Sequence, residues 1–74
     1  MTQSLSERER ERLINLRERH TDPAIMRRAQ IVLLAESDLS TADIADAVSL
    51  SAGQVRYWRR EWEKRGMAIF PDDV

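Results

Sequence analysis

The 74-residue chain contains no cysteine and only one histidine, His20. The absence of cysteine excludes disulfide bonds, thiolate metal ligands and thiol chemistry, and a single histidine cannot form a pair of metal ligands. We expect His20 to lie at the end of a helix, where an imidazolium interacts favourably with the helix dipole. The sequence therefore predicts no metal site and no cofactor, and it is consistent with a reducing compartment such as the cytoplasm.

Long apolar runs are also absent. No stretch reaches the roughly 18 apolar residues of a membrane-spanning helix, and the first residues lack the apolar stretch of a secretory signal. Nothing resembles a nucleophile paired with a base, a set of metal ligands or a phosphate-binding loop. We therefore expect a cytoplasmic protein that is not an enzyme, that takes no small-molecule substrate and that does not bind membranes.

The chain also has no excess of positive charge. The chain has 12 Lys+Arg against 13 Asp+Glu, a formal net charge of −1 and a pI near 5.8, whereas nucleic-acid domains usually have a pI above about 9. The distribution is uneven: residues 51–66 carry five basic and two acidic side chains, while residues 21–50 carry two basic and five acidic ones. Such asymmetry could steer DNA to one face, although we expect weak non-specific affinity.

Residues 40–62, STADIADAVSLSAGQVRYWRREW, have the pattern of two short helices joined by a three-residue turn. Ser40 is expected to cap the first helix, with Asp43 as its partner in a capping box. Ile44 and Val48 fall one turn apart and predict the buried face of that helix. This spacing is typical of a helix-turn-helix, a motif whose second helix fits the DNA major groove, which is about 12 Å wide.

The turn of the motif is predicted at residues 49–51. Leu50 is expected to fill the core at the bend, and Ser51 to cap the second helix. Ser49 opens the turn at a position that commonly holds glycine, because the backbone there tends towards positive φ. A serine at positive φ would store strain on the order of 1 kcal/mol.

The second helix, about residues 52–65, has one apolar stripe and one exposed face. Val55, Trp58 and Trp62 follow at i, i+3 and i+7, so we expect them to be buried. Helical rotation then predicts which side chains point outward and form a candidate DNA-binding face together with Ser51: Ala52, Gly53, Gln54, Arg56, Tyr57, Arg60 and Lys64.

That face has residue types suited to reading bases. Arginine can donate to guanine O6 and N7, glutamine can pair with adenine N6 and N7, and alanine or tyrosine can contact a thymine methyl group. Ser51 and the free amides at the helix start suit a phosphate oxygen. The alternative is that Arg56, Arg60 and Lys64 form an ordinary solvated face.

Two further helices are predicted before the motif. Ser6 and Glu9 form a capping box for a helix that runs to about His20 and contributes Leu13, Ile14 and Leu16 to the core. The alternating charges of residues 7–12 are expected to be solvated. A second helix, about 23–36, starts with Asp22 as N-cap and Pro23 in its first turn.

The second predicted helix is apolar over a wide arc and is therefore expected to lie at the centre of the domain. One side holds Ile25, Ala29, Val32 and Leu33, and the other holds Ile31 and Leu34. Arg27 and Arg28 could contact a DNA backbone or stay solvated.

Gly66 is expected to end the last helix. Residues 67–74 contain three sizeable apolar side chains, so they either fold back onto the helices, against Trp62, or begin a linker to another domain. We therefore expect one helix-turn-helix domain over residues 1–74, with a helical core at about 5–66 and a tail or linker at 67–74.

Several segments of the chain, residues 28–35, 39–45, 55–60 and 66–68, resemble the N-terminal DNA-binding domain of mariner-like bacterial insertion-sequence transposases, a homeodomain-like helix-turn-helix. Residues 67–71 resemble more closely a related module that precedes CHAD domains, a helical family associated with polyphosphate. The resemblance covers about residues 5–70. It implies that Ser51, Gln54, Arg56, Tyr57 and Arg60 contact DNA. The chain lacks a nuclease domain, so transposition is not implied.

We therefore predict an all-α bundle of four helices that binds double-stranded DNA with moderate to weak affinity, helped by a second copy of the chain or an attached C-terminal domain. The alternative is a protein-interaction or tethering module that keeps the same fold and uses Tyr57, Ile69 and Phe70 against a protein partner.

Overall fold

The computed structural model describes residues 5–19 and 21–70, so the predictions for His20 and for residues 71–74 lie outside the described residues. Four helices follow one another: α1 (Glu7–Arg19), α2 (Pro23–Glu36), α3 (Thr41–Val48) and α4 (Ala52–Arg65). A short 3-10 helix (Gly66–Ile69) follows α4 directly, and the described segments contain no strand. The predicted all-α fold of four helices is confirmed.

The starts of α1 and α2 are capped as their sequences predict. The Glu9 amide donates to the Ser6 hydroxyl at 3.1 Å, and the Ser6 amide donates to the Glu9 carboxylate at 3.1 Å. At the start of α2, the Asp22 carboxylate accepts from the Ala24 amide at 2.9 Å. Pro23 has no amide hydrogen to leave unpaired in the first turn.

Helix α2 lies at the centre, because it contributes buried side chains to two apolar clusters on its two sides. The first cluster joins α2 to α1 and to the end of the described chain: Leu13, Leu16, Ile25, Ala29, Val32, Leu33, Ile69 and Phe70. The second cluster joins α2 to the helix-turn-helix: Ile31, Ile44, Ala45, Val48 and Val55. This division of the α2 side chains is the one that the sequence predicts.

The aromatic stripe of α4 is less buried than expected. Val55 is fully buried, but Trp58 and Trp62 are only partly buried. Trp58 packs against both apolar clusters and Trp62 against the first. The indole rings therefore lie along the border of the core, where Trp58 connects its two halves.

After Gly66 the chain packs back onto the bundle. Gly66 has φ 56° and ψ −135°, a combination open almost only to glycine, and its amide donates to the Trp62 carbonyl. Ile69 and Phe70 are then 3% and 4% exposed within the first cluster. Of the two alternatives left open for this segment, the structure shows folding back onto the helices as far as Phe70, so the compact part extends beyond residue 66.

The charged surface of α1 is largely exposed, as predicted. Arg10 lies 3.7 Å from the Glu36 carboxylate, which also accepts from the Leu5 amide at 3.3 Å. In the described part of the chain, no group of His, Asp and Glu side chains could hold a metal ion. No helix there is long and apolar enough to cross a bilayer.

Candidate nucleic-acid interface

Helix α3 is the first helix of the predicted motif and packs as its sequence indicates. Ile44, Ala45 and Val48 are buried, and the Ser40 hydroxyl accepts from the Asp43 amide at 3.1 Å. Within the described part of the chain, the Ser40 amide does not donate to the Asp43 carboxylate in return. Of the two hydrogen bonds of the predicted capping box, the structure therefore shows one.

The turn between α3 and α4 has the left-handed backbone that the sequence predicts. Ser49 has φ 60° and ψ 40°, and its amide donates to the Ala45 carbonyl. The Leu50 amide donates to the same carbonyl at 3.1 Å. Asp38, before α3, also has a positive φ of 64°, which sequence analysis missed although aspartate is one of the residues that tolerate this region.

The start of α4 holds a complete capping box that sequence analysis did not anticipate. The Gln54 amide donates to the Ser51 hydroxyl at 3.2 Å, while the Gln54 carboxamide oxygen accepts from the Ser51 amide at 3.3 Å. This oxygen is the acceptor that pairing with adenine N6 would require. The predicted bidentate contact of Gln54 with adenine therefore competes with the cap, and only the side-chain N–H groups remain available.

The centre of the exposed face of α4 is a row of side chains nearly opposite Val55. The row follows the spacing i, i+4, i+7 and i+11 and consists of Gly53, Tyr57, Arg60 and Lys64, all of them exposed. Tyr57 is 52% exposed, and Gly53 adds no side chain at the end nearest the turn. A flat surface could therefore approach the first turn of α4 closely.

The basic side chains of α4 divide into paired and unpaired groups. Arg65 contacts the Glu61 carboxylate at 3.1 Å, and Arg59 donates to the Thr41 hydroxyl at 2.9 Å, which ties α4 to the start of α3. The predicted binding residues Arg56, Arg60 and Lys64 are exposed and have no ion pair or hydrogen bond with any described side chain. Their charges are thus available to an anionic partner.

The placement of Ala52 differs from the prediction. The sequence pattern predicts an outward position for Ala52, but the structure shows it partly buried. It precedes the buried Val55 by three residues, and helical rotation over three residues returns nearly to the same face. Ser51, next to it at the turn, is exposed as expected.

Arg27 and Arg28 have different environments although they are neighbours in α2. Arg27 is exposed. The Arg28 guanidinium carbon lies 3.9 Å from the centre of the Trp58 ring, and Nη1 donates to the Ile69 carbonyl at 2.7 Å. Arg28 is therefore not simply solvated, because its guanidinium contacts a ring and a carbonyl of this chain.

Burial lowers the pKa of Arg28 below the usual arginine range, and the Asp22 carboxylate opposes this change. The Arg28 Nε atom is buried and has no hydrogen-bond partner among the described residues. The sequence does signal the partial burial of Arg28, though not its contacts: Arg28 follows Ile25 by three residues and precedes Val32 by four. Helical spacing therefore places it at the edge of the buried arc of α2.

Comparison with protein families assigns the fold. A family model described as a homeodomain-like domain matches residues 22–69, which is more than half of the 74-residue chain. The match starts at the N-cap of α2 and ends with the 3-10 helix. Characterised proteins and solved structures give no significant match. The chain therefore belongs to the homeodomain-like family of helix-turn-helix domains.

Proposed function

We propose that this protein is a DNA-binding helix-turn-helix domain whose α4 lies in the major groove. One observation carries the proposal: Arg56, Arg60 and Lys64 are exposed on α4 without a partner among the described side chains. None of the ion pairs formed among the described residues involves these three cations. The helix that bears them is fixed to the core through Val55, so the whole face meets DNA as a rigid unit.

The exposed face suggests distinct roles for its residues. Arg56 and Arg60 can reach base edges, where an arginine fork pairs with guanine O6 and N7. Lys64, one turn further along the helix, suits a phosphate, and the Ser51 hydroxyl and first-turn amides suit another. Gln54 donates through its side-chain N–H groups while its oxygen stays in the cap, so it favours an acceptor such as guanine N7 or a phosphate oxygen.

Affinity is expected to be moderate to weak for one copy of the chain. Few phosphates are neutralised, and each contributes to the electrostatic part of binding. A second copy or an attached C-terminal domain would raise the effective affinity. The resemblance to mariner-like bacterial transposases and to the module that precedes CHAD domains supports an attached C-terminal domain. It also supports a cytoplasmic bacterial protein.

The alternative function, a protein-interaction or tethering module, loses most of its proposed surface. It relied on Tyr57, Ile69 and Phe70 being available to a partner. Ile69 and Phe70 are buried in the core of this chain, and of the three residues Tyr57 alone is exposed. The DNA-binding function is therefore the better supported of the two.

Fluorescence anisotropy with mixed-sequence duplex DNA at several salt concentrations tests the proposal. Binding should weaken with salt, with a slope of log affinity against log salt of about −0.9 per phosphate contacted. Arg56→Ala should cost roughly 1–3 kcal/mol on a preferred sequence and relax the base preference at one position.

Arg12→Ala is the matched control for this experiment. Arg12 is an exposed arginine of α1, so its removal changes the net charge by the same amount on a different surface. Affinity should be nearly unchanged in Arg12→Ala. Equal losses in the two variants, or no salt-dependent binding by the wild-type chain, would contradict the proposal.

A further inference from the structure

One cation links the exposed face of α4 to the end of the described chain. The Arg28 guanidinium stacks on the Trp58 ring at 3.9 Å and donates to the Ile69 carbonyl at 2.7 Å. Trp58 in turn contacts the Tyr57 ring edge-on, with ring centres 4.9 Å apart and ring planes at 82°. A continuous series of contacts therefore runs from Ile69 through Arg28 and Trp58 to Tyr57 on the surface.

We propose that Arg28 is a positioning residue for DNA recognition: it holds the Trp58 ring, and the Trp58 ring orients Tyr57 towards the bases. This inference rests on the proposed function, because it assigns Tyr57 an orientation-dependent contact with DNA. A planar guanidinium can stack on an aromatic ring while its N–H groups donate in the plane. The two contacts of Arg28 use both properties at once.

Stability alone accounts poorly for an arginine at this position. The buried Nε atom of Arg28 has no partner among the described residues, and an unpaired buried donor opposes folding. An apolar side chain of similar length could fill the same space without leaving a buried donor unpaired. What it could not do is hold the Trp58 ring and the Ile69 carbonyl simultaneously.

The test compares Arg28→Met with Arg27→Met in DNA titrations. Both variants lose one positive charge from neighbouring positions of α2, but Arg27 is exposed and Arg28 is not. Arg28→Met should weaken binding about twofold to fivefold, the factor to which the free energy of a partly exposed cation–π contact converts. The salt slope should stay that of the wild type, because no phosphate contact is lost. Arg27→Met should bind like the wild type.

A double-mutant cycle with Tyr57→Ala separates positioning from general destabilisation. If Arg28 acts through Tyr57, Arg28→Met should have little further effect on affinity once the Tyr57 ring is removed. A merely structural role would give the same loss in both backgrounds. Arg28→Lys, which keeps the charge but not the planar fork, should restore only part of the affinity and serves as the second variant if Arg28→Met fails to fold.

Near-ultraviolet circular dichroism without DNA provides an independent readout. In a Trp62→Phe background, the remaining indole signal comes from Trp58 and should change with Arg28→Met but not with Arg27→Met. Wild-type binding together with equal affinities of Arg28→Met and Arg27→Met would overturn the positioning role alone. No binding by the wild-type chain would overturn the proposed function and the positioning role together.

Discussion

At the scale of single residues, two polar side chains occupy backbone conformations that favour glycine. Ser49 at φ 60° makes the turn of the motif, and Asp38 at φ 64° leads into it. Both are exposed, so neither is held in this region by burial of its own side chain. A left-handed serine costs on the order of 1 kcal/mol, which favourable interactions elsewhere in the fold must offset.

Ser49→Gly should therefore stabilise the fold. Relief of the left-handed strain exceeds the extra unfolded-state entropy of glycine, and we expect the free energy of unfolding to rise by about 0.5–1 kcal/mol. Urea denaturation followed by tryptophan fluorescence measures the change. Ser37→Gly is the control: Ser37 has a negative φ of −86°, so glycine should lower stability there. A loss of stability in Ser49→Gly would argue against strain at the turn.

At the scale of elements, helix boundaries follow from local chemistry and could be predicted. The caps at Ser6, Asp22, Ser40 and Ser51 all use short polar side chains whose oxygen accepts from an amide of the first turn, and this geometry needs only neighbouring residues. The environment of Arg28 could not be predicted in the same way. It depends on a ring and a carbonyl that are distant in sequence and meet only after three helices have packed.

At the start of α4, Gln54 takes part in the helix cap and is also a proposed DNA contact. The substitution Gln54→Glu distinguishes these two roles. Glutamate preserves the capping box and interacts favourably with the helix dipole, so the unfolding free energy should stay equal or rise by a few tenths of a kcal/mol. DNA affinity should fall, because a carboxylate replaces the side-chain N–H donors and repels phosphates. Denaturation and anisotropy on the same samples measure both effects.

Asn15→Glu is the control for Gln54→Glu, because Asn15 is exposed on α1 and the change in net charge is identical. It should leave DNA affinity close to the wild-type value. If Gln54→Glu binds DNA as well as Asn15→Glu does, the first turn of α4 does not face the nucleic acid.

At the scale of the whole molecule, the fold depends on the segment after Gly66 as well as on the helices. Ile69 and Phe70 complete the first apolar cluster, and the Ile69 carbonyl is held by Arg28. Apolar residues beyond a helix end can form part of a core or part of a linker, and the sequence alone does not distinguish the two. The deciding feature is spatial: α1 and α2 leave an apolar surface that this segment covers.

Phe70→Ala should accordingly destabilise the protein strongly. Removing a buried phenylalanine typically costs about 3–5 kcal/mol, a large part of the roughly 4–11 kcal/mol expected for a domain of this length. We expect a much lower melting temperature. Circular dichroism at a wavelength that reports helix content measures it. Tyr57→Ala removes an aromatic ring that is 52% exposed and should shift the transition far less. If Phe70 served instead as an exposed docking residue, Phe70→Ala would leave the melting temperature unchanged and alter only association with a partner.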